Sequence, residues 1–184
     1  MLGIINKNFK DLNENCFILL YKCLVRSHME YANVVWNPYR KVLIEDIEGV
    51  QKRATRMVKG LRKLAYNERL MRLKLPTLKF RRKRGDMIDV FKILTGKYDG
   101  EVSPLIPRCE YLRTRGHSMK LKTERARYDL RKFSYTVRIV NAWNSLPESV
   151  VGADSVNGFK NRLDEHWSNE KIYYDYEADL IGSQ

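Results

Sequence analysis

Asp86 and Asp89, three residues apart, are the nearest approach to a paired-acid site in this 184-residue chain. Two-metal chemistry needs several carboxylates converging on one point, and the sequence holds no adjacent Asp pair. At helical spacing these two acids lie within reach of Arg82 and Lys92, so they read as ordinary intrahelical ion pairs. The acids of "DYEAD" (175–179) sit in a segment without a structural period, unsuited to fixed metal geometry. Cys16 and Cys23 are separated by about 10 Å along a helical axis, too far to bridge. With Cys109 they form no CxxC, and His28, His117 and His166 are scattered, so no zinc ligand set is legible. His28 falls on an apolar face and reads as a hydrogen-bonded core histidine. His117, in "RGHS" beside cations, reads as a solvated loop residue within reach of a phosphate. No glycine-rich phosphate loop, nucleophile elbow or HExxH helix occurs. The odd, unpaired cysteines fit a reducing compartment, nuclear or cytoplasmic.

Ion binding to cations is the chemistry left. The net charge is +13. Residues 50–84 hold fourteen Lys and Arg against one acid, and residues 108–138 hold ten against three. Residues 1–49 are neutral, and residues 148–184 carry eight acids against three cations. Two basic blocks in a neutral frame describe a charged surface with a location, which suits an anionic polymer. "FRRKR" (80–84) also reads as a nuclear-import signal, and the two readings are compatible. "CFILLYKCLV" is broken by Lys22 and falls short of the roughly 20 apolar residues a membrane span needs. The candidate contact residues are Lys52, Arg53, Arg56, Lys59, Arg62, Lys63, Arg69, Arg72, Arg81, Arg82, Lys83 and Arg84.

Helices must position them. Over residues 13–35, Phe17, Leu20, Tyr21, Leu24, His28, Tyr31 and Val35 recur at i, i+3/i+4, and Ile18 with Leu19 widens the face into a buried helix. Pro38 ends it. A second helix spans 40–59, with Leu43, Ile47, Val50, Ala54 and Met57 as its apolar stripe and Gly60 as its stop. Lys52, Arg56 and Lys59 then fall on the opposite face, with Arg53 on a flank. Glu45, Asp46 and Glu48 precede the cations, an order that suits the helix dipole. The short helix "YNERLMRLKL" follows, and Pro76 opens a long one to about Gly96 with Phe80, Met87, Phe91 and Leu94 inward. Its first turns carry Arg81–Arg84, where cations oppose the dipole and gain from an anion.

Residues 99–107, "DGEVSPLIP", read as a boundary. Beyond it, Met119 and Leu121 alternate with Lys120 and Lys122 as a strand after a turn at Arg115-Gly116. Helices return at 131–144 and 155–167, the last started by Asp154 or Ser155, with Val156, Phe159, Leu163 and Trp167 on one face. The acidic, tyrosine-rich tail 169–184 has no period and reads as loose.

Several stretches taken together resemble a known family: "LGIINKNF" (2–9), "LYKCLVRSHMEYANVVWNP" (20–38), "IEGVQKRATRMVKGL" (47–61), "YNERLMRLKLPTLKFRRKRGDMIDVFKIL" (66–94), "RGHSMKL" (115–121), "RKFSYTVRIVNAWNSLPESVV" (131–151) and "SVNGFKNRLDEHW" (155–167). In that order they resemble the C-terminal part of reverse transcriptases from non-LTR (LINE-type) retrotransposons of the jockey-like and chicken-repeat-like clades. The resemblance covers about residues 2–167 and implies a helical thumb with the extension beyond it, gripping template RNA and nascent DNA. It further implies that the catalytic Ala-Asp-Asp element lies upstream, outside this chain, with the Mg²⁺-holding palm and the fingers. Alone, the chain is then expected to bind RNA, RNA–DNA hybrid or DNA backbone without polymerising, to need no cofactor, and to partner the palm and fingers of its polymerase. Met1 falls inside a stretch the family reads straight through, which is expected of a truncated copy or a partial gene model.

The expected fold class is mainly α. A thumb-like bundle (1–98) and a linker (99–107) precede a basic α(+β) region with a short β-hairpin (108–168) and a flexible acidic tail (169–184). A thumb must accept every sequence, so its contacts are to backbone phosphates rather than base edges. Two rivals remain: a domesticated helical adaptor whose basic face meets an acidic protein, and an unrecognised enzyme, for which no constellation of groups is legible.

Overall fold

The computed structural model describes residues 1–101, 103–109 and 116–180. Val102 of the expected boundary, Arg115 of the expected turn and residues 181–184 of the tail lie outside the described residues. The chain forms two compact units, Met1–Arg82 with Ile172–Ala178, and Lys83–Lys171 with the residues from Asp179 on. The chain passes from the first to the second within a helix, at a point other than the 99–107 segment read from the sequence.

The first unit begins with α1 (Leu2–Asn8) and α2 (Glu14–Leu20), which is capped by Asn13 accepting from Cys16 N at 2.8 Å. α2 runs into a π-helical turn (Tyr21–Arg26) and α3 (Ser27–Glu30). Ala32 at φ +52° then resets the chain before α4 (Asn33–Trp36). The first half of the expected face is core: Phe17 and Tyr21 are buried and stacked at 5.5 Å. The second half is not. The wider π turn keeps Val25 inside but carries Leu24 off the face, and His28, Tyr31 and Val35 are exposed. His28 is therefore a surface residue, and the helix is not buried all round.

α5 (Lys41–Thr55) ends earlier than the expected 59, giving way to turns through residue 64. It also lies rotated from the expected stripe. Leu43 is 47% exposed, while Glu48, Gln51 and Thr55 are fully buried beside Ala54. These polar residues recur at i, i+3, i+7 and each finds a partner, which makes their burial tolerable. Tyr66, at the start of α6 (Tyr66–Leu73), donates to Glu48 Oε2 at 2.7 Å. Lys79 N donates to Glu48 Oε1 at 2.8 Å, Gln51 Nε2 donates to Pro76 O at 3.0 Å, and the Tyr21 hydroxyl donates to Gln51 Oε1.

Burial, opposed by the Tyr66 and Lys79 hydrogen bonds, raises the Glu48 carboxyl above its ordinary 4.5. Between the ordinary and the raised value the folded chain holds one proton more than the unfolded chain. Stability therefore falls as pH rises through that window, by up to about 1.4 kcal/mol per pH unit. Glu48→Gln removes this term. Thermal melts from pH 4.5 upward should show the wild type losing stability relative to the variant; a constant difference would show the carboxyl is not raised.

The 3₁₀ turn Lys171–Tyr173 opens the return of the tail to the first unit. Thr77 receives it. Its Oγ1 accepts from Phe80 N at 3.1 Å, capping α7 (Leu78–Leu94), and donates to Ile172 O at 2.6 Å. Thr77 N donates to Tyr173 O at 2.9 Å, and the Phe80 and Tyr173 rings lie 4.7 Å apart. Ile172 is fully buried. The expectation of a loose tail is thus corrected as far as residue 180: apolar Ile172 and the tyrosines give this acidic segment something to bury.

In the second unit the rest of α7 is followed by α8 (Asp129–Lys132), α9 (Tyr135–Asn144), α10 (Glu148–Val151) and α11 (Val156–His166). Ser155 caps α11 by accepting from Gly158 N at 3.0 Å. Phe159, Leu163 and Trp167 are buried as the spacing predicts, with Phe91 stacked on Phe159 at 4.4 Å and Trp143 at 5.9 Å. No strand forms among the described residues, so the expected hairpin is reduced to one antiparallel bridge, Arg108 with Leu121. Cys109 N donates to Lys120 O and Lys122 N to Pro107 O, while Leu121 turns its own N–H and C=O to the other edge, onto the Asn144 carboxamide, both at 2.9 Å. A side chain takes the place of a third strand.

Candidate nucleic-acid interface

The twelve candidate cations fall into three groups once placed. In the first unit, Arg53, on the last turn of α5, and Arg56, Arg62 and Lys63, in the turns that follow, are exposed. None makes an ion pair or side-chain hydrogen bond with the described residues. Gly60, at φ +86°, supports the left-handed step that reverses the chain between them. Four unpaired cations within eleven residues repel one another in water and would be relieved by phosphate.

Lys59 and Arg72 are also exposed, each against one carboxylate: Asp11 at 3.1 Å and Glu14 at 3.0 Å. Both Lys59 and Asp11 side chains are about 80% exposed, and such surface pairs are worth ~0–1 kcal/mol, weak enough to exchange for another anion. Lys74, exposed in the left-handed conformation at the end of α6, adds a cation that the candidate set omits although it lies in the same basic run.

The remaining six are engaged by the fold. Arg69 is 2% exposed; its guanidinium donates to Thr55 Oγ1 at 3.0 Å and Leu64 O at 2.6 Å and lies over the Tyr66 ring. It holds α6 to α5 and offers no charge to a ligand. Lys52 donates to the Tyr176 hydroxyl at 2.8 Å and lies 4.3 Å from the Tyr176 ring centroid. Arg81 grips both oxygens of Glu30, and Arg82 is 2% exposed. In the second unit, Lys83 meets Asp179 at 3.3 Å and Arg84 meets both oxygens of Asp164, at 2.5 and 2.7 Å. Three of the four cations that oppose the α7 dipole, Arg81, Lys83 and Arg84, are answered by carboxylates of the same chain.

The carboxylates that could suggest metal chemistry are likewise spoken for. Asp89 pairs with Lys92 at 3.5 Å, the expected intrahelical partner, and Asp86 receives Arg138 Nε and Nη2 at 3.0 and 2.9 Å. No cluster of His, Cys, Asp and Glu suited to a metal ion occurs among the described residues. Nor is any described helix long and apolar enough to cross a membrane. His117 is a core residue, 1% exposed, bonded through Nε2 to Trp143 O at 3.0 Å, so it lies out of reach of a phosphate. Burial lowers its pKa below the ordinary histidine value and favours the neutral ring.

No family model, curated protein or solved structure matches this chain.

Proposed function

We propose that this chain is a nucleic-acid-binding C-terminal fragment of a retrotransposon reverse transcriptase, holding template–primer duplex by its backbone and lacking the catalytic palm. The observation that carries the reading is the set Arg53, Arg56, Arg62 and Lys63, exposed and unpaired at the end of α5 and beyond. Cations without base-reading partners suit sequence-independent phosphate contact. The resemblance of residues 2–167 to the thumb and post-thumb region gives that contact its context. The ligands are RNA, RNA–DNA hybrid or DNA, with the missing palm and fingers as protein partners and no cofactor in this chain. Its place of action is nuclear or cytoplasmic.

Labelled RNA–DNA hybrid, titrated by fluorescence anisotropy across salt concentrations, tests this. With six exposed cations (Arg53, Arg56, Lys59, Arg62, Lys63 and Arg72) engaged, log K should fall against log salt with a slope near −5. Replacing Arg53, Arg56, Arg62 and Lys63 with glutamine should flatten that slope by about 3 to 4. A flat response in the wild type would overturn the reading.

A second reading, a helical adaptor for an acidic protein, draws on the exposed apolar residues Tyr31, Val35 and Val42, at 80%, 85% and 70% exposure. Surfaces of this kind suit protein partners. Hybrid left unbound at low salt would favour it.

A further inference from the structure

The second basic block contains a segment that the duplex reading does not use. Residues 122–132 carry Lys122, Arg125, Arg127, Arg131 and Lys132 against two acids, Glu124 and Asp129, and all seven are exposed. Arg131 pairs with Glu124 at 2.8 Å. Lys122, Arg125 and Arg127 make no ion pair with the described residues. Among these cations stand Tyr128, 77% exposed, and Leu130, 82% exposed. Tyr128 has no ring partner and donates no hydrogen bond to the described residues.

Cations alone would describe a solvated loop. The exposed Tyr128 ring adds what a run of cations lacks, a flat π-face open to a partner. A ring with open faces flanked by arginines is what sequence-tolerant single-strand binding requires: phosphates on the cations, and an unstacked base on the aromatic. Duplex offers no such base, because its bases are stacked within the helix. We therefore propose that residues 122–132 bind single-stranded RNA or DNA, with Tyr128 as a stacking platform and Lys122, Arg125 and Arg127 on the backbone. This rests on the second unit alone and stands whether or not the first unit holds duplex.

The test is anisotropy of labelled oligo(U) and oligo(A) with the full chain. Tyr128→Ala should weaken single-strand binding about tenfold, and Tyr128→Trp should retain it. Arg125→Gln with Arg127→Gln should reduce the salt slope by about 1.4. The exposure of these side chains keeps the variants folded, which a melt verifies. Hybrid binding should stay unchanged in Tyr128→Ala, and oligo(U) binding by Tyr128 should persist in the Arg53, Arg56, Arg62 and Lys63 variant, so the two sites fail separately. Wild-type affinity in Tyr128→Ala overturns the proposal. So does absence of single-strand binding at low salt, or a loss in Tyr128→Ala seen only with anionic vesicles.

Discussion

Asp86→Ala lowers the stability of the second unit by about 3–5 kcal/mol. The side chains of Asp86 and Arg138 are 4% and 12% exposed, and their two short hydrogen bonds run in parallel. Removing the carboxylate strands the guanidinium in a site with little water. Coulomb attraction in the intact pair does little more than offset the cost of burying both charges, so the size of the effect comes from the orphan. It follows that Asp86→Ala with Arg138→Met should recover much of the loss, because neither charge is then left behind. Denaturant unfolding of the two singles and the double closes the cycle. A single variant within 1 kcal/mol of wild type would mean that the pair is solvated in solution.

Trp143→Ala should cost about 3–5 kcal/mol. The ring is fully buried, Nε1 donates to Met119 O at 2.8 Å, and the His117 and Phe159 rings lie 5.8 and 5.9 Å away. Truncation empties that volume and leaves a carbonyl unbonded. Trp143→Phe separates the two parts, since it keeps most of the packing and loses the hydrogen bond, at a cost of about 1–3 kcal/mol for the bared carbonyl. Near-ultraviolet circular dichroism and unfolding midpoints report both. Equal losses from the alanine and phenylalanine variants would assign the whole effect to the hydrogen bond and none to the cavity.

Where apolar period and capping agree, the sequence reads well. Phe159, Leu163 and Trp167 on α11 lie where their spacing puts them, and Ser155 starts the helix as a cap. α5 reads badly because its buried stripe is Glu48, Gln51 and Thr55, which a search for apolar spacing passes over. Their partners come from Tyr21, Tyr66 and Arg69, which only the folded chain brings near. The same limit governs the charges. Arg53 and Arg81 look alike in sequence, but the acid that meets Arg81 lies 51 residues away, and those that meet Arg84 and Lys83 lie 80 and 96 away. Local composition finds the basic run; it does not tell which of its members the fold has already neutralised. The tail was illegible for a related reason, since Ile172 O finds its donor in Thr77 and the Tyr173 ring its contact in Phe80, both far upstream.

Thr77 and Ile172 are 95 residues apart in the chain, and this sets an order of events during synthesis. Residues 1–82 leave the ribosome long before the segment that completes their unit exists. Until Ile172–Ala178 emerge, the Thr77 backbone N–H lacks its acceptor and Lys52 lacks the Tyr176 ring. The intervening residues can fold in the meantime, which shortens the effective loop that must close. Completion of the first unit is thus a late, long-range step of high contact order. A chain stopped just short of Ile172 should expose the α7 cap and the edge of α5 to chaperones or proteases, while its second-unit core could already be formed.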